Sequence, residues 1–400
     1  MKYIFIVPDG MHDRPLEELG NKTPLEVART TNMDFLASNG ITGLVRTIPE
    51  KMKPGSDTGN MSLLGYDPSI YLSGRAALEA ANMNIELQKN EVAFRCNLVT
   101  VMDDKMSDYS AGHISSSEAA VLIDSLNEEI NLNEIIFYPG KSYRHILVLK
   151  VRAPADYLKI QTTPPHDILG KHINQHLPKG PEAKMLLRLM EQSKEIFEQH
   201  PINNVRVDLG ENPANMIWLW GQGSKPNLPL FADKFGVKGS IISAVDLVNG
   251  IGKLAGLEII DVPGITGYYD TNYLGKAEYA IESLKRNDFV FIHIEAPDEA
   301  GHNGDVHAKI NAIENIDKHV VGTILNNFSK HDNVRILVAS DHATPISLRT
   351  HSSEPVGFVM FGKGIAHDGS TEFSETSTQQ KGVKFENGED MMDHFINKFL

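Results

Sequence analysis

The sequence predicts an α/β fold: a larger domain built on a mostly parallel sheet flanked by helices, interrupted by a smaller inserted α/β domain. Three observations lead there. Short, wholly apolar runs alternate with helical patterns near the start and through the second half of the 400 residues. The middle alternates apolar and polar residues instead, as half-exposed strands do. Asp and His directly follow several of the apolar runs, at the strand ends where open α/β sheets bind ligands.

The first run, Tyr3 to Val7, is rich in aromatic and β-branched residues, fits a strand buried on both faces, and is closed by Pro8-Asp9-Gly10. A helix is expected over Thr23 to Asn39, with Pro24 in its first turn and Gly40 just past its end. In the second half ANMIWLWG, GSIISAVD, FVFIHIEA, VRILVAS and FVMFGKG read as strands of the main sheet. Helical patterns lie between them near 245–256, 273–286 and 305–328. The last is the clearest, with Asp305 as N-cap and Ile310, Ile313, Ile316, Val320 and Ile324 at helical spacing. Between roughly 90 and 180, EVAFRCNLVTV, EIIFYPG and YRHILVLK surround a helix at 116–129, and the Pro-rich TTPPHDILG precedes a charged helix at 181–199. The expected division is therefore a core of 1–89 and 181–400, with 90–180 inserted.

Apolar residues make up 41% and charged residues 22%, which is ordinary globular usage and enough for a sizeable core. The formal charge of −14 is spread along the chain and offers no footprint for nucleic acid or an anionic membrane. The single cysteine, Cys96, excludes an intramolecular disulfide and Cys-rich zinc sites, and its strand setting reads as a small core residue. No signal peptide or membrane-length apolar stretch is present, so the expected location is the cytoplasm.

Asp9 follows the first strand, Asp298 and His302 follow FVFIHIEA, Asp341 and His342 follow VRILVAS, and His351 comes nine residues after His342. Each segment alone has an ordinary reading: turn chemistry for Asp9, a capping or surface pair for Asp341-His342, a plain loop for Asp298 to His302. Taken together they put oxygen and nitrogen ligands suited to Zn²⁺ or Mn²⁺ at the same end of three strands. Ser56, after Pro54-Gly55, either caps a helix or is presented at its N-terminus, where free N–H groups favour an anion. A hydroxyl is a weak nucleophile near neutral pH, and metal coordination would activate it without a neighbouring base.

The order Asp, Ser, Asp-x-x-x-His, Asp-His, His resembles the alkaline phosphatase superfamily. In whole phrases, PGSDTGNMSLLGYDP, FRCNLVTV, DYSAGHIS, ISAVDLVNGIGKLAGL, VPGITGYYDTNY, APDEAGHNGD, SDHATP and HSSEPV resemble the archaeal-type 2,3-bisphosphoglycerate-independent phosphoglycerate mutases, from residue 1 to about 365. The resemblance implies an alkaline-phosphatase-like core with an inserted cap and two divalent cations, Mn²⁺ or Zn²⁺ with Co²⁺ or Mg²⁺ as alternatives. One would be held by Asp9, Ser56, Asp341 and His342, the other by Asp298, His302 and His351. Ser56 would carry the phosphoryl group between positions of a small phosphorylated substrate, phosphoglycerate, with no bisphosphoglycerate needed. That is isomerase chemistry belonging to glycolysis and gluconeogenesis. His113 matches a histidine of the family's cap and would contact the substrate, while Arg95 and Arg144, in cap strands, either contact it too or are solvated structural residues. Ala76-Ala77 after Arg75 departs from the Gly-Pro-like pair usual there, which bears on the substrate more than on the metals. The alternatives are a homoserine kinase-like phosphotransferase of the same family, a metal-dependent phosphomonoesterase, or a non-catalytic scaffold on this fold. No P-loop, dinucleotide fingerprint, nucleophile elbow or H-E-x-x-H occurs. The expected assembly is a monomer or a small homo-oligomer.

Overall fold

A computed structural model describes residues 1–328 and 333–398. Its strands are β1 (Lys2–Pro8), β2 (Ile41–Val45), β3 (Glu91–Met102), β4 (Lys105–Asp108), β5 (Ile135–Lys141), β6 (Arg144–Lys150) and β7 (Met216–Ser224). The second half adds β8 (Gly239–Ile242), β9 (Glu258–Ile259), β10 (Phe289–Ile294), β11 (Val334–Ala339), β12 (Val356–Gly362) and β13 (Lys384–Phe385). The chain divides into two compact units, Met1–Leu72 with Asn227–Leu400, and Ser73–Pro226.

The larger unit holds an eight-stranded sheet in the order β13-β2-β12-β11-β1-β10-β8-β9. β1 lies parallel between β11 and β10, and β10 is parallel to β8, so the expected mostly parallel sheet is present. β12 is the exception, running antiparallel to both β11 and β2. β10 and β11 are buried along their whole length and β1 from Tyr3 onward, which is why their sequences are unbroken apolar runs. Helices pack over them through Met33, Leu36, Ala277, Ile313, Val320 and Ile324.

The smaller unit is an antiparallel sheet, β4-β3-β6-β5 with β7 on the free side of β3. The helices Ser116–Ile130 and Ala183–Glu198 supply Leu122, Leu126, Leu186 and Leu189 to its core beside Phe94, Phe137 and Trp218. Cys96 is wholly buried here as a free thiol, and burial pushes its pKa up.

Three expectations need correction. The inserted segment is longer than 90–180, because β3 pairs along Val92–Val99 with β7, which was expected in the main sheet. The helix expected at 181–199 packs into the same smaller core. The helix expected over 23–39 is two, Pro24–Val27 and Thr31–Ser38, separated by the extended Ala28 (φ −62°, ψ 147°). The second one starts against Asp317, whose carboxylate accepts from the backbone N–H groups of Asn32 (3.1 Å) and Met33 (2.7 Å) and from Asn32 Nδ2 (2.8 Å). Asp317 lies in a wide π-type turn, Ile316–Val321, that interrupts the long helix begun at Val306. Asp305 does cap that helix, accepting from Ala308 N at 2.9 Å. Among the described residues no helix is long and apolar enough to cross a membrane.

Replacing Asp317 by Ala removes a buried cap acceptor from two backbone donors, and should lower unfolding free energy by about 2 kcal/mol. Urea denaturation followed by circular dichroism checks this, and an unchanged midpoint would show that the helix start is set elsewhere.

Candidate metal and nucleophile site

The register of the central strands assembles the site. Pro8 of β1 pairs with Ile294 of β10, and Ile6 with Val338 of β11, so all three chains leave the sheet at one end. Asp9, then Glu295 to Asp298, then Ser340 to His342 therefore emerge side by side. Asp298 and His302 lie on the helix Ala296–Asn303 four residues apart, on one face. A bridge between Ala343 and Ser352 brings the His351 loop back against the Asp341-His342 segment. Gly10 makes the close approach possible: its φ is +61°, and a Cβ there would sit 2.5 Å from Thr344 Oγ1 and 2.7 Å from Asp298 Oδ1.

The seven residues expected as ligands converge. Around His342, Nε2 lies 3.5 Å from Asp9 Oδ1, 3.4 Å from Asp341 Oδ2 and 3.4 Å from Ser56 Oγ. Ser56 is the first residue of the helix Ser56–Leu63. Around Asp298, its Oδ2 is 3.3 Å from His302 Nε2, its Oδ1 is 3.4 Å from His351 Nε2, and the two imidazole nitrogens are 2.9 Å apart. His302 Nδ1 faces the Arg349 carbonyl at 3.1 Å, which leaves Nε2 directed into the group. His342 belongs to both neighbourhoods, since its ring also packs on His351 with centroids 4.1 Å apart.

These atoms suit divalent cations. Asp9 Oδ1 is buried without a hydrogen-bond partner, although its other oxygen is 2.9 Å from His293 Nε2. Asp9, His293 and Asp341, and likewise Asp298, His342 and His351, each offer ligand atoms within 4.8 Å of one another. A buried carboxylate oxygen facing other carboxylates with no donor is what a cation would satisfy.

The electrostatics agree. Burial, with Asp341, Glu295 and Asp298 nearby, raises the Asp9 pKa well above the carboxylate range. Burial and the same crowding push Glu295 up to about 8. Burial also opposes ionisation of Asp298, yet His302 and His351 outweigh it and hold that group well below its usual value. The bond to Asp298 lifts His302 to about 9. Burial lowers His342 and takes His293 down to about 4.

His293 and Glu295 were not foreseen. His293 Nε2 meets Asp9, while its Nδ1 lies 3.3 Å from Ser243 Oγ and 3.8 Å from Glu295 Oε2. Both belong to FVFIHIEA, where the strand pattern masked His293. Asn60 was also missed: it donates to Asp341 Oδ2 (2.8 Å) and to the Ser56 carbonyl (3.0 Å), tying nucleophile helix to ligand.

Arg95, Arg144 and His113 lie in the smaller unit and form a group of their own there. The Arg95 guanidinium lies 4.0 Å over the Trp220 ring and its Nε is 3.1 Å from Glu79. His166 sets its ring edge-on to Trp220 at 5.5 Å and to Tyr109 at 6.2 Å. Tyr109 touches Tyr143, which contacts the exposed His113 and Arg144. A continuous run of rings thus joins the three expected residues to His166, which sequence reasoning had left in a Pro-rich stretch.

Comparison with known proteins gives one consistent family. The sequence profile described as 2,3-bisphosphoglycerate-independent phosphoglycerate mutase matches residues 37–203. The protein of that name from Methanothrix thermoacetophila is 51% identical, over 98% of each chain. A probable one from Geobacter sulfurreducens is 46% identical over the full length of both. Among solved structures, a Pyrococcus horikoshii protein is 30% identical with TM-score 0.84, covering 100% of this chain and 98% of that one. The cofactor-independent phosphoglycerate mutase of Thermoplasma acidophilum is 29% identical with TM-score 0.69, covering 99% of each.

The crowded carboxylates make a sign-specific prediction for metal-free protein. A group whose folded pKa is raised stabilises the fold fully below its unfolded value, and that contribution is lost as pH rises through the folded value. For Glu295 the window runs from about 4.5 to about 8. Glu295→Gln should therefore gain thermal stability relative to wild type as pH rises across that window, in chelated protein. A melting-temperature difference that stays flat with pH would mean that Glu295 ionises without penalty.

Proposed function

The chain belongs to the 2,3-bisphosphoglycerate-independent phosphoglycerate mutase family, and we propose that it interconverts 3- and 2-phosphoglycerate by storing the phosphoryl group on Ser56. The single observation behind this reading is the placement of Ser56 Oγ 3.4 Å from His342 Nε2, at a helix N-terminus beside the orphaned carboxylate oxygen of Asp9. Asp9, Ser56, Asp341 and His342 would hold one divalent cation, and Asp298, His302 and His351 the other. When bound, such cations lower the pKa of a coordinated hydroxyl and offset charge on phosphoryl oxygens.

The chain's own part begins with Ser56. Its Oγ gives up its proton and forms a bond to phosphorus as the bond from phosphorus to the 3-oxygen breaks, and the 3-oxygen takes up a proton. The positive end of the helix dipole favours the negative phosphoryl group at this position. Asn60 steadies the turn through the Ser56 carbonyl while it orients Asp341. After glycerate reorients, its 2-hydroxyl loses its proton and bonds to phosphorus as the bond from phosphorus to Oγ breaks, and Oγ takes up a proton. No phosphate is gained or lost, so no bisphosphorylated primer is required. Within the smaller unit, Arg95 and Arg144, with His113 and His166 along the same ring contacts, form a group suited to recognising an anion. The named relatives favour this mutase reading over homoserine phosphorylation.

Two outcomes are expected. Chelation should abolish turnover and Mn²⁺, Zn²⁺ or Co²⁺ should restore it; full activity in demonstrably metal-free protein would remove the cations from the mechanism. Trapping 3-phosphoglycerate turnover at low temperature and mapping peptides by mass spectrometry should place phosphate on Ser56, and Ser56→Ala should fold yet fall by orders of magnitude in rate. Phosphate found reproducibly on a histidine would end the phosphoserine route.

A further inference from the structure

Lys309 is wholly buried in the helix Val306–Asn315, and none of its hydrogen bonds goes to a residue expected to touch metal or substrate. Its ammonium group has three donors and three acceptors: Asp13 Oδ2 at 2.7 Å, the Thr344 carbonyl at 2.9 Å and the His12 carbonyl at 3.4 Å. All three acceptors lie on segments that bear expected ligands. His12 and Asp13 end the turn that begins at Asp9, and Thr344 follows Asp341-His342. Lys309 itself sits on the helix directly after the one carrying Asp298 and His302.

The far side of Thr344 completes the connection. Its hydroxyl donates to Asp298 Oδ1 at 2.5 Å and lies 3.3 Å from His342 Nδ1. One residue held by Lys309 through its carbonyl thus orients a carboxylate of one expected ligand set and an imidazole of the other. Asp13 closes the frame: both its oxygens accept from Ile346 N (3.2 and 3.1 Å), and its own N–H donates to Glu375 Oε1 at 3.1 Å.

A buried ion pair contributes little net stability, because desolvation offsets most of the attraction, and apolar replacement is often neutral. Its geometry, however, is rigid when every donor is used. We propose that Lys309 and Asp13 are positioning residues whose buried pair sets the spacing between the three ligand-bearing segments, and so the affinity and shape of the metal sites. This rests on the two-metal reading above.

The test uses Co²⁺, whose visible absorption reports coordination geometry. Full-length wild type, Lys309→Met and the charge-neutral Lys309→Met/Asp13→Asn variant are compared by calorimetric titration and absorption, at a temperature where circular dichroism shows each folded. Both variants should bind Co²⁺ about ten- to a hundredfold more weakly than wild type, with an altered spectrum. The double variant should recover most of the melting temperature lost by the single one, since it leaves no unpaired buried charge, yet keep the weakened binding. A folded variant with wild-type affinity and spectrum overturns the proposal and leaves the pair a plain structural contact. Should Lys309→Met alone not fold, the double variant decides. Wild type that binds no Co²⁺ would instead sink the metal reading itself.

Discussion

The larger unit is organised around acidic side chains that it buries together. Asp9, Asp298 and Asp341 are almost wholly inaccessible, and Glu295 lies beside them. Two unit charges 4 Å apart in a protein-like medium repel by about 4 kcal/mol, a large part of the roughly 5–15 kcal/mol that keeps a domain folded. The protein side of this balance consists of His302 and His351 on Asp298, His293 on Asp9, and Asn60 on Asp341. Those partners serve one oxygen of Asp9 and leave the other bare. Three adjacent parallel strands bring these acids together in groups that could hold a cation, and local details follow from that crowding. Gly10 has no side chain because the Asp298 carboxylate and the Thr344 hydroxyl occupy the space a Cβ would take.

Most of this was legible in the sequence for a simple reason. A polar residue directly after an apolar run marks the end of a buried strand, and Asp9, Asp298, Asp341 and His342 all stand in that position or one turn beyond it. Their convergence then requires only that the three strands be neighbours, as β11, β1 and β10 are. His293 was hidden because it lies inside such a run, where periodicity has no separate signal for a buried imidazole, whereas Glu295 directly follows the run and fits the rule. Long-range effects account for the other differences. Nothing local in MIWLW says which sheet it joins; its pairing with β3 does. The helical pattern over 23–39 is unbroken in sequence, whereas its interruption answers to Asp317, 285 residues from Asn32.

The net charge of −14 proved uninformative about the ligand, and the reason is physical. A substrate is recognised by charge within a few ångströms, because ionic screening erases contributions beyond about 8–10 Å. The two units carry opposite local characters. In the larger one, carboxylates gather in groups that could hold a cation. In the smaller one, Arg95, Arg144, His113 and His166 are linked through the faces and edges of Trp220, Tyr109 and Tyr143. The ring quadrupole of Trp220 offers the Arg95 guanidinium partial compensation, and burial lowers the pKa of His166. Glu79 offsets Arg95, yet the exposed Arg144 and His113 remain directed to solvent, where an anion can reach them.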